Sequence, residues 1–122
     1  MKLPISLDDF IADQVSPHAC QAIKLKEPVP LSDLHTPALV IDLDVMETNL
    51  RNMQAHLDAH NMGLRSHIKM HKCPIIAERQ LDGGAIGICA ATVSEAEVMQ
   101  AFGIEKILIT SPVTTAEKID RV

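Results

Sequence analysis

At 122 residues, with 47% hydrophobic and 22% charged residues, the chain has the composition of a globular domain with a modest core, which excludes a disordered segment. With 11 basic against 16 acidic residues the net charge is -5, and Phe10 and Phe102 are the only aromatics, so a polyanion-binding surface and a base-stacking platform for nucleic acid are both excluded. Cys20, Cys73 and Cys89 are widely spaced with no CxxC, which argues against a zinc ribbon or disulfide framework, and no apolar run approaches the roughly 20 residues of a membrane span; a soluble, cytoplasmic protein is expected.

Residues 1–35 carry no sustained period and read as an N-terminal extension and linker. SLDDFIADQ predicts a short helix behind Ser6, and Asp8, Asp9 and Asp13 interrupt the apolar core that a signal peptide would need. KEPVPLSDLHTP, with Pro28, Pro30 and Pro37, predicts an extended linker. The character changes at residue 38, where ALVIDLD is a continuous apolar, β-branched run, the pattern of a strand covered on both faces. Asp44 and Glu47 then form a D-x-x-E capping box, and Met46, Leu50, Met53 and Leu57 draw the apolar stripe of a helix ending near Asn61 and Gly63.

The same grammar repeats. Strand LRSHIK leads to Pro74, well placed as the first residue of a helix that stops at Gly83 and Gly84. Strand AIGICAA leads to Ser94 and Glu97, a second capping box, with Gly103 as terminator. Strand KILITSP leads to Thr114 and Glu117, a third. The strand starts at 64, 85 and 106 are 21 residues apart, so the chain alternates strand and helix and predicts a parallel sheet with right-handed crossovers. A doubly wound open sheet and a (β/α)8 barrel share that pattern. A barrel needs about 250 residues and eight units. This chain has three or four and ends at EKIDRV inside a helix that has just begun, so it reads as the front of a larger protein.

The strand in GLRSHIKMHKCP carries the chemistry. Period-two alternation sets Leu64, Ser66, Ile68 and Met70 on one side and Arg65, His67, Lys69 and His71 on the other, with Lys72 next. In parallel α/β proteins the site lies at the carboxyl ends of the strands, where Lys69 falls. A lysine held among other cations is destabilised in its charged form, and a deprotonated amine is what condensation with a carbonyl requires. The competing reading makes Lys69 and Lys72 solvated lysines at a strand end, with Arg65 and the histidines paired to acids elsewhere. His56 and His60, four apart on the first long helix, match a metal pair in spacing, but no third ligand is near and a solvated helix face explains them better. Cys73 precedes a helix N-terminus, where a thiol pKa falls, yet a structural role fits it more simply. Thr110, Ser111 and Thr115 lie where a pocket wall would be, a weak signal.

Three stretches, TPALVIDLDVMETNLRNM, LRSHIKMHKCPIIAERQL and GAIGICAATVSEAEVMQAFGIEKILITSPV, closely resemble the D-threonine aldolase and D-serine dehydratase-like family, pyridoxal-phosphate enzymes of the alanine racemase barrel type. The resemblance runs from Thr36 to the C-terminus, with several motifs in the right order and spacing. It implies that residues 36–122 are the N-terminal portion of a (β/α)8 (TIM-like) barrel of the alanine racemase type. The family's strand motif resembles R-P-H-x-K-T-H-K-C-P, and its first lysine binds the cofactor. Matched to it, Lys69 is the catalytic, cofactor-bearing residue, and Arg65 and His67 are cofactor-binding. Ser66 stands where the family has proline and Met70 where it has threonine, which bears on packing more than on chemistry. The implied activity of the intact enzyme is a lyase reaction on D-β-hydroxy-α-amino acids, retro-aldol cleavage of D-threonine or dehydration of D-serine, and this N-terminal fragment is expected to be inactive alone. A non-catalytic pyridoxal-phosphate binder and an amino-acid racemase relative remain alternatives. The resemblance also implies a divalent metal in full-length relatives, with ligands outside this chain, and a homodimer in the full-length form. The family's glycine-rich phosphate cup and the group facing the pyridine nitrogen also come from later sequence.

Overall fold

The computed structural model describes residues 28–122, and the helix expected behind Ser6 lies outside them. After a 3-10 turn at Leu31–Asp33, helix α1 spans Leu43–Ala59. Strand β1 (Arg65–His67) runs directly into a second 3-10 turn at Ile68–Met70, followed by helix α2 (Pro74–Asp82). Strand β2 (Gly87–Ala90), helix α3 (Val93–Ala101), strand β3 (Ile107–Ile109) and the short helix α4 (Ala116–Ile119) complete the described chain. The strands form one parallel sheet in the order β1-β2-β3, as the repeating strand and helix pattern predicts.

Register decides which residues see the core. Ser66 lies opposite Ile88, and Ile88 opposite Ile107, whereas Arg65 lies opposite Gly87 and His67 opposite Cys89. One face therefore carries Ile88, Ala90, Ile107 and Ile109 towards the helices. There Ile68, Ala77, Ile88, Ala90, Met99 and Ile104 form the buried cluster, with Leu81 and Ala96 packed against it. Full burial of a side chain such as Ile88 or Met99 stabilises the fold by about 1.5–3 kcal/mol. The opposite face carries Arg65, His67, Gly87, Cys89 and Leu108 and has no helix over it among the described residues.

The run ALVIDLD departs from expectation. Residues 38–42 join no strand among those described, and Leu39, Val40 and Ile41 are exposed. A β-branched apolar run becomes a strand only where a neighbour offers hydrogen-bonding groups, and β1 pairs with β2 alone. The N-caps differ from expectation as well. Asp42, not Asp44, caps α1, its Oδ1 accepting from the Val45 amide at 3.0 Å. Thr92, not Ser94, caps α3, and Thr115, not Thr114, caps α4. Each region offers two capping side chains, and the one used is the one at which the chain leaves extended geometry. The glutamates expected in those boxes bind arginines instead: Glu47 pairs with Arg79 across α1 and α2, and Glu97 and Glu117 both pair with Arg121.

Candidate active site at the strand exits

The alternation of β1 holds through His67 and stops there. Ile68 turns into the core, where it is completely buried, and its carbonyl accepts from both the His71 and Lys72 amides, at 3.1 and 2.7 Å. Lys72 closes the turn at φ 49°, a left-handed conformation that costs an ordinary residue about 1 kcal/mol or more. Lys69 sits inside this turn, exposed, at the carboxyl end of β1.

Below it, the uncovered face of the sheet is built in layers. In the lowest, the Arg65 guanidinium lies across Gly87 and donates to the Lys106 carbonyl at 3.0 Å and, more weakly, to that of Ile88 at 3.4 Å. A methyl group on Gly87 would collide with that guanidinium, so glycine is what lets Arg65 lie flat across the sheet. In the next layer the Cys89 thiol donates to the Arg65 carbonyl at 3.8 Å. His67 reaches from that layer to Thr110, just beyond β3, with its Nε2 3.2 Å from Oγ1, while its Nδ1 accepts from the Lys69 amide at 3.3 Å. Because Nδ1 is an acceptor, the proton of the neutral ring sits on Nε2 and is donated to Thr110, whose hydroxyl passes its own proton to the Ala90 carbonyl at 3.1 Å. His67 is thereby fixed in one tautomer and one orientation.

The basic cluster expected from the sequence is not assembled as the alternation predicts. Arg65 is occupied by carbonyls at the amino ends of the strands. The Lys72 ammonium lies 3.2 Å from Glu95 Oε1. His71 folds inward, its Nδ1 accepting from the Cys73 amide at 3.1 Å. Burial pushes His71 below the ordinary histidine value, with the Gln80 side chain and the Cys73 amide offsetting part of that. Nε2 of His71 and Oε1 of Gln80 are both enclosed without a well-aligned hydrogen bond. Of the five basic residues Arg65, His67, Lys69, His71 and Lys72, Lys69 is the one whose side chain has neither a hydrogen bond nor an ion pair.

Glu95 was not legible as part of this region. Its Oε2 accepts from the Ala91 amide at 2.8 Å, and that bond holds the carboxyl below the ordinary glutamate range against the opposing effect of desolvation; Lys72 adds to the lowering. The signal available was the T-x-x-E spacing of Thr92 and Glu95, one frame away from the expected Ser94 box. Gly87 was also missed, although a lone glycine inside a strand pattern is a sign of close approach.

The other candidates stay apart. His60 Nδ1 lies 2.7 Å from the His56 carbonyl and the two rings are 4.5 Å apart on an exposed helix face. No group of three potential metal ligands occurs among the described residues. Cys73 occupies the N-cap position of α2 without a side-chain capping bond. Of the pocket-wall signals only Thr110 touches the site, through His67. A cleft of about 440 Å³ opens at the amino ends of the strands, between Glu78, Leu81, Ala85 and Phe102, and includes none of the site residues. No helix among the described residues is long and apolar enough to cross a membrane.

Comparison with known proteins gives the family of the chain. The profile of the alanine racemase N-terminal domain matches residues 41–122. D-threonine aldolase from an Arthrobacter species is 51% identical over 90 residues, 74% of this chain and 24% of that protein. 3-hydroxy-D-aspartate aldolase from Paracoccus denitrificans is 44% identical over 91 residues, again 74% of this chain and 24% of the relative. The crystal structure of D-threonine aldolase from Filomicrobium marinum superposes with a TM-score of 0.73 at 47% identity, over 75% of this chain and 25% of that one. D-threo-3-hydroxyaspartate dehydratase from Delftia sp. HT23 gives a TM-score of 0.65 at 41% identity, over 67% of this chain and 22% of its own. The chain thus spans about a quarter of the length of these relatives. Its parallel strands and helices form part of a TIM-type barrel, and the chain belongs to the alanine racemase N-terminal domain family.

Proposed function

We propose that this chain contributes the cofactor-bearing strand of a pyridoxal-phosphate-dependent lyase acting on D-β-hydroxy-α-amino acids, with Lys69 as the lysine that holds the cofactor. The observation that carries the reading is the state of Lys69: an exposed amine at the exit of β1, left without a side-chain partner while Arg65, His67, His71 and Lys72 each have one. Similarity to aldolases and a dehydratase of hydroxy amino acids gives the reaction class.

The residues present fit the group. A primary amine is what a cofactor aldehyde condenses with. When bound, pyridoxal phosphate supplies an electron sink for negative charge at the substrate α-carbon. Lys69 Nζ, on a flexible stem above a fixed turn, holds the cofactor and is placed to take or return a proton. The His67 ring stands beside it, held in place by contacts at both nitrogens, and orients the base of the site. Arg65 adds its positive charge from beneath, through the sheet face. The divalent metal expected of such relatives would take its ligands from outside the described residues.

The test is covalent. The chain is incubated with pyridoxal phosphate, reduced with borohydride and mapped by peptide mass. Modification concentrated on Lys69, and lost in Lys69→Ala, is the expected result. Modification spread evenly over the lysines would refute the assignment. In a full-length protein carrying this segment, acetaldehyde release from D-threonine and pyruvate release from D-serine then separate aldolase from dehydratase.

A further inference from the structure

We propose that Glu95 is a positioning residue for Lys69: its carboxylate, bonded to the Ala91 amide and the Lys72 ammonium, fastens the turn that carries Lys69 to the exit of the neighbouring strand. The inference rests on the role proposed above for Lys69, and it concerns a residue on a different element.

The turn has one firm anchor and needs another. Ile68 is buried in the core and holds the entry to the turn. Beyond it Lys69, Met70 and Lys72 are exposed, His71 is half-buried, and the next buried side chain is Pro74, where α2 begins. Lys72 is the far side of the turn, and the left-handed conformation in which it closes the turn has to be held by something.

Glu95 is built to do so. Its side chain is 15% exposed, against 65% for Lys72. One oxygen is occupied by the Ala91 amide at 2.8 Å, and the Glu95 amide is itself capped by Thr92 Oγ1 at 3.2 Å. The carboxylate is therefore fixed by β2 and α3 before Lys72 reaches it. Exposed ion pairs are weak chiefly because two long side chains must be ordered for one contact. Here only one of them is left to order. The same contact takes Lys72 out of the cluster, which leaves Lys69 as the free amine.

Hydrogen exchange reads the latch directly in the full chain, with or without cofactor. The His71 and Lys72 amides, both bonded to Ile68, report on the turn, and the Ile88 amide, bonded to Lys106, reports on the sheet. Glu95→Gln keeps an acceptor for Ala91 and removes the charge; Lys72→Met removes the other partner. Each variant is expected to speed exchange of the two turn amides up to about fivefold, with Ile88 unchanged. The double variant should be no faster than either single one, because all three remove one contact. Borohydride trapping in Glu95→Gln should shift away from Lys69 towards other lysines by about threefold.

Unchanged turn amides, additive effects in the double variant, or equal acceleration at Ile88 would each overturn the proposal. So would a loosened turn in which Lys69 is trapped as in the wild type, since Glu95 would then shape the backbone without positioning the amine. If the wild type shows no preference for Lys69, the cofactor role fails, and the exchange data still decide whether Glu95 fastens the turn.

Discussion

Gly87→Ala tests the layered face of the sheet at its tightest point. A Cβ built on Gly87 would lie 2.7 Å from Cζ of Arg65 and 2.6 Å from the Lys106 carbonyl oxygen. The two obstacles differ in kind. Arg65 is a long side chain and can swing aside, giving up its bonds to Lys106 and Ile88. A charged donor lost to a carbonyl costs about 1.5–3 kcal/mol when enclosed. Because Arg65 is only half-buried, about 1 kcal/mol is the better figure. The Lys106 carbonyl is backbone at the start of β3, so the second obstacle requires the pairing of β2 and β3 to shift, at about 1–3 kcal/mol. The total is about 2–4 kcal/mol, and for a domain of this size each kcal/mol lowers Tm by about 4–8 °C.

Circular dichroism melts of four chains decide the matter: wild type, Gly87→Ala, Arg65→Ala and the double variant. Arg65→Ala alone should cost about 1 kcal/mol. Gly87→Ala should cost less by about that amount when Arg65 is already gone, since only the Lys106 carbonyl is left to meet the new methyl group. A Gly87→Ala variant within about 0.5 kcal/mol of the wild type, or one with the same cost in both backgrounds, would refute the placement of the guanidinium over Gly87.

Two further outcomes follow from the structure. Thr92→Ala should cost about 1 kcal/mol in urea unfolding, whereas Ser94→Ala should stay within about 0.5 kcal/mol; the reverse order would restore the cap expected from sequence. His71 is held below the ordinary histidine value of 6.5 by burial, so the unfolded chain takes up a proton more readily than the fold. Its stabilising contribution is therefore complete above about pH 6.5 and is lost as pH falls through the folded value. Urea midpoints at pH 7.5 and 5.5 should differ in the wild type and differ less in His71→Asn, which retains an acceptor for the Cys73 amide. Equal pH dependence in the two would refute the assignment to His71.

What the sequence disclosed was the part governed by period and punctuation. Pro74 opens α2, Gly83 and Gly84 close it, Gly103 follows α3, and strands expected at 64, 85 and 106 begin at 65, 87 and 107. These signals are local, and each has one physical reading. The caps failed because Asp42 and Asp44, Thr92 and Ser94, and Thr114 and Thr115 are near-equivalent in chemistry, and only the path of the chain chooses between them. The run at residues 38–44 failed because a strand is defined by its neighbour, and sequence period carries no information about one. Lys69 was placed at a strand exit on sound grounds, yet its surroundings were misjudged for a related reason. Alternation assumes that the strand continues, whereas a 3-10 turn begins at Ile68, so Ile68 keeps its expected side in the core and the residues after it leave the strand pattern.

That ending also explains how five basic residues share so short a stretch without mutual repulsion deciding the fold. Gathered on one face, Arg65, His67, Lys69, His71 and Lys72 would each raise the cost of charging the others. The turn disperses them and gives four of them separate means of relief. Arg65 takes backbone carbonyls at the amino ends of the strands, and His67 is bonded to Thr110 and to the Lys69 amide. His71 is pushed towards its neutral form by burial, and Lys72 goes to Glu95. The fifth, Lys69, is left exposed with its amine uncommitted. The distribution of partners, more than the number of positive charges, is the observation on which the proposed role of Lys69 rests.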